Sequence, residues 1–256
     1  MTFDDFLFRL RDPYFVWAYA RRAVVDWRSY LSQDEFSKIY RTVRPHTMLS
    51  SRRLRGLYDA VRYVIRNDIP GEIVECGTAR GGSAALMGIT LRRLDSSKGL
   101  WVFDAFEGLP EPSKADPDWR IAKGYVGRCR GEVEQVRSFF QEVGILGNSR
   151  IVKGLFQDTL AKAEISQIAV LHLDGDWYDS VRVCLEGLYD RVSPGGIIQI
   201  DDYGYWAGAR RAVDEFIEKE NIEAELQQID YEGRQLTKPG AQKQPVLTGS
   251  SMSGPD

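Results

Sequence analysis

Residues 168–178 read IAVLHLDGDWY and residues 195–203 read GGIIQIDDY. Each stretch holds a largely apolar run of strand length, the pattern of a strand buried on both faces. Each run ends in a pair of aspartates, Asp174 with Asp176 and Asp201 with Asp202. In an open parallel sheet the carboxyl ends of the strands face the crevice that binds ligands. Four carboxylates in one crevice repel unless a cation lies among them, and an all-oxygen set favours a hard ion such as Mg²⁺.

Outward from these two strands, the chain alternates. Apolar residues at helical spacing (Leu54, Leu57, Val61, Val64) predict a helix over 52–67. Strands are then expected at 72–76, 100–104, 150–152, 168–174 and 197–201, with helices at 83–94, 131–143, 156–163, 180–188 and 206–219 between and after them. Residues 224–229 and 234–237 read as a closing antiparallel hairpin, and Pro194-Gly195-Gly196 as the stop after the helix at 180–188. Such alternation predicts an α/β fold with a mostly parallel sheet of seven strands, helices on both faces and right-handed crossovers. Residues 106–131 hold Pro110, Pro112, Pro117 and several glycines, and read as a long insertion, either a surface loop or a lid over the crevice.

Composition narrows the function. The chain of 256 residues is 43% hydrophobic and 11% aromatic, ample for a packed core, and its net charge of -3 lacks the basic footprint of a nucleic-acid binder. It carries neither an apolar run of transmembrane length nor a signal peptide. Cys76, Cys129 and Cys184 are widely spaced and form no zinc or disulfide pattern, so a reducing, cytoplasmic setting is expected. The aromatic and arginine-rich segment 1–46 reads as amphipathic helices that pack on the core or a second subunit, or touch a membrane surface. The polar tail 240–256 reads as disordered.

The first strand runs into Glu75-Cys76-Gly77, followed by Gly81, Gly82 and Ser83. This is a tight turn into a helix, without the spacing of a dinucleotide fingerprint or a phosphate loop. Asp104 ends the second strand 27 residues after Gly77, where a carboxylate is placed to accept hydrogen bonds from ribose hydroxyls. The combination points to a nucleoside ligand without a pyrophosphate. His172, inside the fourth strand, reads as a core histidine, and His46 as a residue bordering the site.

Five stretches, PGEIVECGTARGGS at 70–83, FDAFEGLP at 103–110, GLFQDTL at 154–160, LDGDWYDS at 173–180 and GGIIQIDDY at 195–203, together resemble the macrocin O-methyltransferase family, whose members include tylosin, mycinamicin and novobiocin sugar methyltransferases. The similarity runs from about Thr47 to Pro239, which sets a methyltransferase domain at 47–239. The resemblance implies a class I, Rossmann-like fold that uses S-adenosylmethionine and Mg²⁺ to methylate a sugar hydroxyl on a natural product such as an antibiotic, or on a glycolipid. It implies that Thr47, Met48, Glu75, Gly77, Ser83, Asp104, Phe106, Gln157 and Asp158 contact the cofactor, that Asp174, Asp201 and Asp202 bind the metal, and that Asp176 is the general base.

The chemistry supports that set. Bulk alcohols ionise only near pH ~16, and a divalent cation lowers a bound hydroxyl's pKa and stabilises its developing charge. Period-two geometry would put Asp174 and Asp176 on one side of an extended strand end, one for the ion and one for the proton. Alternatively Asp176 caps the helix that follows. Trp177, Tyr178, Tyr203 and Trp206 read either as core or as the floor of a sugar pocket. The expected partner is a small glycoside, with the protein a homo-oligomer. A catechol methyltransferase and a non-catalytic nucleoside-binding subunit are the alternatives.

Overall fold

The computed structural model describes residues 24–240. Five strands, β1 (Glu72–Cys76), β2 (Leu100–Asp104), β3 (Ser149–Lys153), β4 (Ile168–Leu173) and β5 (Val192–Ile200), form a parallel sheet. Two more, β6 (Gln227–Gln228) and β7 (Arg234–Thr237), complete it, with β7 antiparallel to β5. The order β3-β2-β1-β4-β5-β7-β6 reverses direction between β1 and β4. At such a reversal the crossovers leave in opposite directions and open a crevice above the strand ends.

Each strand sends alternate residues to opposite faces, and two cores result. Ile73, Val102, Val170 and Ile197 pack beneath α1 (Glu35–Val43), α2 (Ser51–Arg66), α3 (Gly82–Arg93) and α4 (Val133–Glu142). Val74, Phe103, Leu171 and Ile198 pack against α5 (Tyr178–Leu188) and α6 (Ala207–Lys219). The predicted stripe of α2, Leu54, Leu57, Val61 and Val64, is fully buried. Its first turn is capped by Ser50, whose hydroxyl accepts from the Arg53 N–H at 3.2 Å.

The segment before α2 shares this core through Phe36, Ile39, Tyr40 and Val43, and residues 24–31 are helical with Trp27 and Leu31 exposed. The remainder of the N-terminal segment and the tail from 241 on lie outside the described residues. Among the described residues no helix is long and apolar enough to cross a membrane.

Two element boundaries differ from the sequence expectation. Pro194-Gly195-Gly196 lies inside β5 as a bulge: Ile168 pairs with Val192, and Val170 with Ile197. Proline has no N–H to donate, and Gly195 (φ +80) turns the chain there, so the signal read as a stop marks an irregularity within the strand. The expected strand at 224–229 shrinks to two residues. The apolar alternation of Ile222, Ala224 and Leu226 is used for packing on the core rather than for pairing. Short edges of this kind discourage association with another sheet.

The proline-rich insertion is docked on the body. Asp116, fully buried, accepts from the N–H of Ser113 at 2.9 Å and of Tyr178 at 2.7 Å, and Trp177 Nε1 donates to the Pro110 carbonyl at 2.8 Å. The insertion thereby forms one wall of the crevice.

Candidate active site

The ends of β1 and β4 approach so closely that a Cβ on Gly77 would lie 1.9 Å from the Asp174 backbone oxygen, and Gly77 has φ +89. Only glycine meets both conditions. Gly77→Ala is expected to cost more than about 2 kcal/mol and to lower the melting temperature by about 5 °C or more. Differential scanning calorimetry against wild type checks this.

Asp104, at the end of β2, accepts from Thr78 N–H at 2.8 Å and Ala79 N–H at 2.9 Å through Oδ2, and from Phe106 N–H at 2.6 Å through Oδ1. One carboxylate therefore ties the loops after β1 and β2 together. Burial pushes its carboxyl above the usual carboxylate range, against those three N–H donors. Oδ1, with one donor against it, retains a second lone pair, the capacity a ribose hydroxyl needs.

The aspartates after β4 and β5 converge. Asp174, Asp176 and Asp202 each offer an oxygen, and these atoms lie within 4.8 Å of one another. Extended period-two geometry is not the cause. Asp176 is in the left-handed region (φ +56), which folds the chain back over the strand end. Its N–H donates to Asp202 Oδ2 at 3.1 Å, and its Oδ1 accepts from Trp206 Nε1 at 2.9 Å. Nor does Asp176 cap α5: the N-cap is Trp177, without a side-chain bond, and Asp116 takes the Tyr178 N–H.

Burial, and then the neighbouring carboxylates, hold Asp174 and Asp202 well above the usual range. Such a crowded hard-oxygen set fits a divalent cation, which would relieve the repulsion. Without metal, these two groups bind protons more readily in the folded than in the unfolded chain, whose carboxylates titrate near ~3.9. Their stabilising contribution is therefore complete below that pH and is lost as pH rises toward their folded-state values. Asp202→Asn is expected to raise the melting temperature of the metal-free protein at pH 7 by about 2–4 °C, and to flatten its pH dependence. Thermal melts in chelator from pH 4 to 8 check this.

Asp201 lies apart from that trio. Its carboxylate is buried and Oδ2 pairs with Arg53 of α2, whose guanidinium also meets Asp230 at 3.3 Å and Glu232 at 2.5 Å. Asp201 Oδ1 is buried without a hydrogen-bond partner, 3.9 Å from His172 Nε2. His172 is a core histidine: it is fully buried, and its Nδ1 meets Glu75 Oε1 at 2.9 Å. Burial opposes a charged ring, but the carboxylates of Asp201 and Glu75 outweigh it and raise the His172 pKa to about 9.

A single cavity of about 1250 Å³ is lined by Thr47, Met48, Gly77, Asp104 and Gln157 together with Asp174, Asp176, Asp201 and Asp202. That exceeds the ~300–1,000 Å³ typical of one small ligand, leaving room for two. Glu75, Ser83, Phe106 and Asp158 do not line it. Glu75 and Ser83 are buried behind the β1 turn, Phe106 belongs to the core, and Asp158 is solvent-exposed. His46 stacks on Phe139 at 3.8 Å rather than facing the cavity. Trp177 and Trp206 are buried in the core and also edge the cavity.

Arg53 and Asp116 were not singled out by motif. Arg53 did carry a signal: it stands four residues before Leu57 and so falls on the buried stripe of α2.

The model of the macrocin O-methyltransferase family (TylF) matches residues 16–238. The chain belongs to this family. It is an S-adenosylmethionine-dependent O-methyltransferase with the class I fold. The 8-demethyl-8-(2,3-dimethoxy-alpha-L-rhamnosyl)-tetracenomycin-C 4'-O-methyltransferase of Streptomyces olivaceus is 38% identical over 194 residues, 73% of this chain and 74% of that protein. The demethyldecarbamoylnovobiocin O-methyltransferase of Streptomyces niveus is 37% identical over 201 residues, 73% of this chain and 74% of its own. Among solved structures, the O-methyltransferase NovP superposes with TM-score 0.73 at 35% identity, covering 76% of this chain and 83% of that one. The calicheamicin methyltransferase CalS11 shares the fold at 18% identity and TM-score 0.61, over 88% and 93% of the two chains. In this macrocin-type methyltransferase the Gly77 turn and Asp104 lie at the ends of β1 and β2, and the acidic side of the crevice is the end of β4 and β5.

Proposed function

We infer that this enzyme methylates a sugar hydroxyl of a glycosylated natural product or glycolipid, with a divalent cation such as Mg²⁺ held by Asp174, Asp201 and Asp202, and Asp176 as general base. The observation that carries this reading is the shared cavity: the four aspartates face the same space as Gly77 and Asp104. The relatives support the acceptor class: one is named for the 4'-O position of a rhamnosyl-tetracenomycin, and another is the mycinamicin III 3''-O-methyltransferase of Micromonospora griseorubida, 33% identical over 207 residues.

In this mechanism Gly77 lines the methionine portion of the cofactor, Thr47 contacts the cofactor from the N-terminal side, and Asp104 accepts from its ribose hydroxyls. The acceptor lies between the acidic cluster and the wall made by Pro110, Tyr125, Trp177 and Trp206. When bound, the cation supplies Lewis acidity that lowers the pKa of the acceptor hydroxyl. Asp176, held by Trp206, would take the acceptor hydroxyl proton, while the bound S-adenosylmethionine would supply the methyl group. Alignment of oxygen and methyl by the cavity walls contributes a large part of the acceleration.

The test is methyl transfer from S-adenosylmethionine to glycosides with adjacent hydroxyls and to catechols, each with and without Mg²⁺. Mg²⁺-dependent methylation of a glycoside is expected. Turnover of catechols alone would shift the acceptor class. Cofactor binding without turnover or any effect of metal would identify a nucleoside-binding subunit instead.

A further inference from the structure

The arginines that line the cavity differ in how their charge is answered. Arg53 is enclosed by Asp201, Asp230 and Glu232, Arg130 pairs with Glu132 at 2.9 Å, and Arg182 with Glu186 at 2.8 Å. Among the described residues, Arg44 and Arg80 meet no carboxylate within ion-pair distance. The half-buried Arg44 guanidinium donates to the Thr47 carbonyl at 3.0 Å, which leaves most of its five donors unused. Arg80 is exposed.

Both flank the turn from β1 into α3. Arg80 belongs to that turn, just after Gly77 and just before the left-handed Gly81 that opens the helix. Arg44 begins the segment that crosses the start of α3, where a Cβ on Gly82 would come within 2.7 Å of the His46 carbonyl and of Thr47 Cβ. Burial, and then the Arg80 charge, hold the His46 imidazole below its usual range, so Arg80 stands close to that segment. Two cations without acidic partners thus lie beside the β1 turn, and the crowded aspartates lie after β4 and β5. S-adenosylmethionine has the complementary polarity. Its sulfonium is positive, and at neutral pH its single anionic group is the methionine carboxylate.

We propose that Arg44 and Arg80 form the subsite for the carboxylate of the cofactor's methionine portion. This rests on the reading that Gly77 lines that portion. The planar fork of arginine suits a carboxylate, and charge-assisted bonds of this kind are about twice as strong as neutral ones. The same two charges disfavour the sulfonium at their own position, and the aspartates favour it on their side. The pair therefore also sets which way round the cofactor lies.

The experiment measures binding of S-adenosylmethionine and of decarboxylated S-adenosylmethionine, which lacks only the carboxylate, by calorimetry without acceptor. Wild type should prefer the complete cofactor by about 10-fold or more. Arg44→Gln should lose about 10–100-fold in affinity for it, and Arg80→Gln, being exposed and screened, about 3–10-fold. Both variants should bind the decarboxylated form within about twofold of wild type, which also shows that they are folded. Equal losses for the two ligands, or none for either, overturn the subsite. A selective loss in one variant alone removes the other arginine from it. If wild type binds 5'-methylthioadenosine as tightly as S-adenosylmethionine, the placement of methionine along Gly77 fails instead. Should Arg44→Gln fail to fold, a crystal of wild type with S-adenosylhomocysteine decides. A carboxylate within about 3.2 Å of the Arg44 guanidinium supports the proposal, and one turned away from both arginines overturns it.

Discussion

Stripping divalent ions with a chelator is expected to lower methyl transfer by about 10³-fold, with Mg²⁺ restoring it. The acceptor hydroxyl must acquire alkoxide character before it attacks a sulfonium, and no side chain lining the cavity is a strong enough base to do this alone at neutral pH. Lewis-acid stabilisation of the developing charge is worth several kcal/mol, and ~4 kcal/mol corresponds to about 10³ in rate. The same loss, now irreversible by added Mg²⁺, is expected for Asp174→Asn. Asp174 is held at both ends: its N–H donates to the Cys76 carbonyl at 2.8 Å, and its backbone oxygen lies against Gly77. Asparagine fits that frame and removes only the charge, so S-adenosylhomocysteine affinity should persist. The assay is initial rate against total Mg²⁺ for both proteins. Full activity in chelator would remove the metal from the mechanism, and an Asp174→Asn variant with the Mg²⁺ dependence and rate of wild type would remove Asp174 from the metal site.

What was legible in the sequence follows from the range of the interactions involved. Strands β1, β2 and β4 read correctly because burial on both faces leaves a largely apolar run, broken only by Glu75 in β1 and His172 in β4, and no neighbour is needed to recognise it. The aspartates that end β4 and β5 were legible for the same reason, since a strand end in an open sheet has a known address. The bulge in β5 was not, because Pro194 and Gly195 send the same local signal in a turn and in a kinked strand. The curl that brings Asp176 back over Asp174 depends on its left-handed φ and on the Asp202 and Trp206 contacts, none of which alternation can express. Arg53 was hidden by distance in the chain: its partner Asp201 is 148 residues away. A buried arginine becomes explicable only once its three carboxylates are seen around it. The same holds for Asp116, which caps a helix 62 residues downstream and so escapes the local rule that looks for a cap just before the first turn.

Asp176→Asn is expected to lower kcat by about 10²–10⁴-fold, the usual worth of a positioned general base, while leaving cofactor affinity within about twofold. The residue is suited to this test because it is built for position rather than for fold. It neither caps α5 nor belongs to a strand, and its left-handed backbone is one that asparagine adopts readily. Asparagine keeps an oxygen for the Trp206 indole N–H, so the wall of the cavity should be preserved while the proton acceptor is lost. Trp206→Phe provides the complementary change. It removes the donor at 2.9 Å and retains the ring that packs edge-on to Trp177 and Tyr125. Its effect should be smaller, about 10-fold in kcat, because an intact carboxylate is merely less well aimed. In the double variant the two losses should fall well short of multiplying, since an amide that accepts no proton gains nothing from being aimed. Steady-state kinetics of the four proteins at saturating cofactor and Mg²⁺ measures this coupling. Fully multiplicative losses would mean that Trp206 acts on the acceptor rather than on Asp176. A kcat for Asp176→Asn within threefold of wild type would mean that the proton leaves by another route.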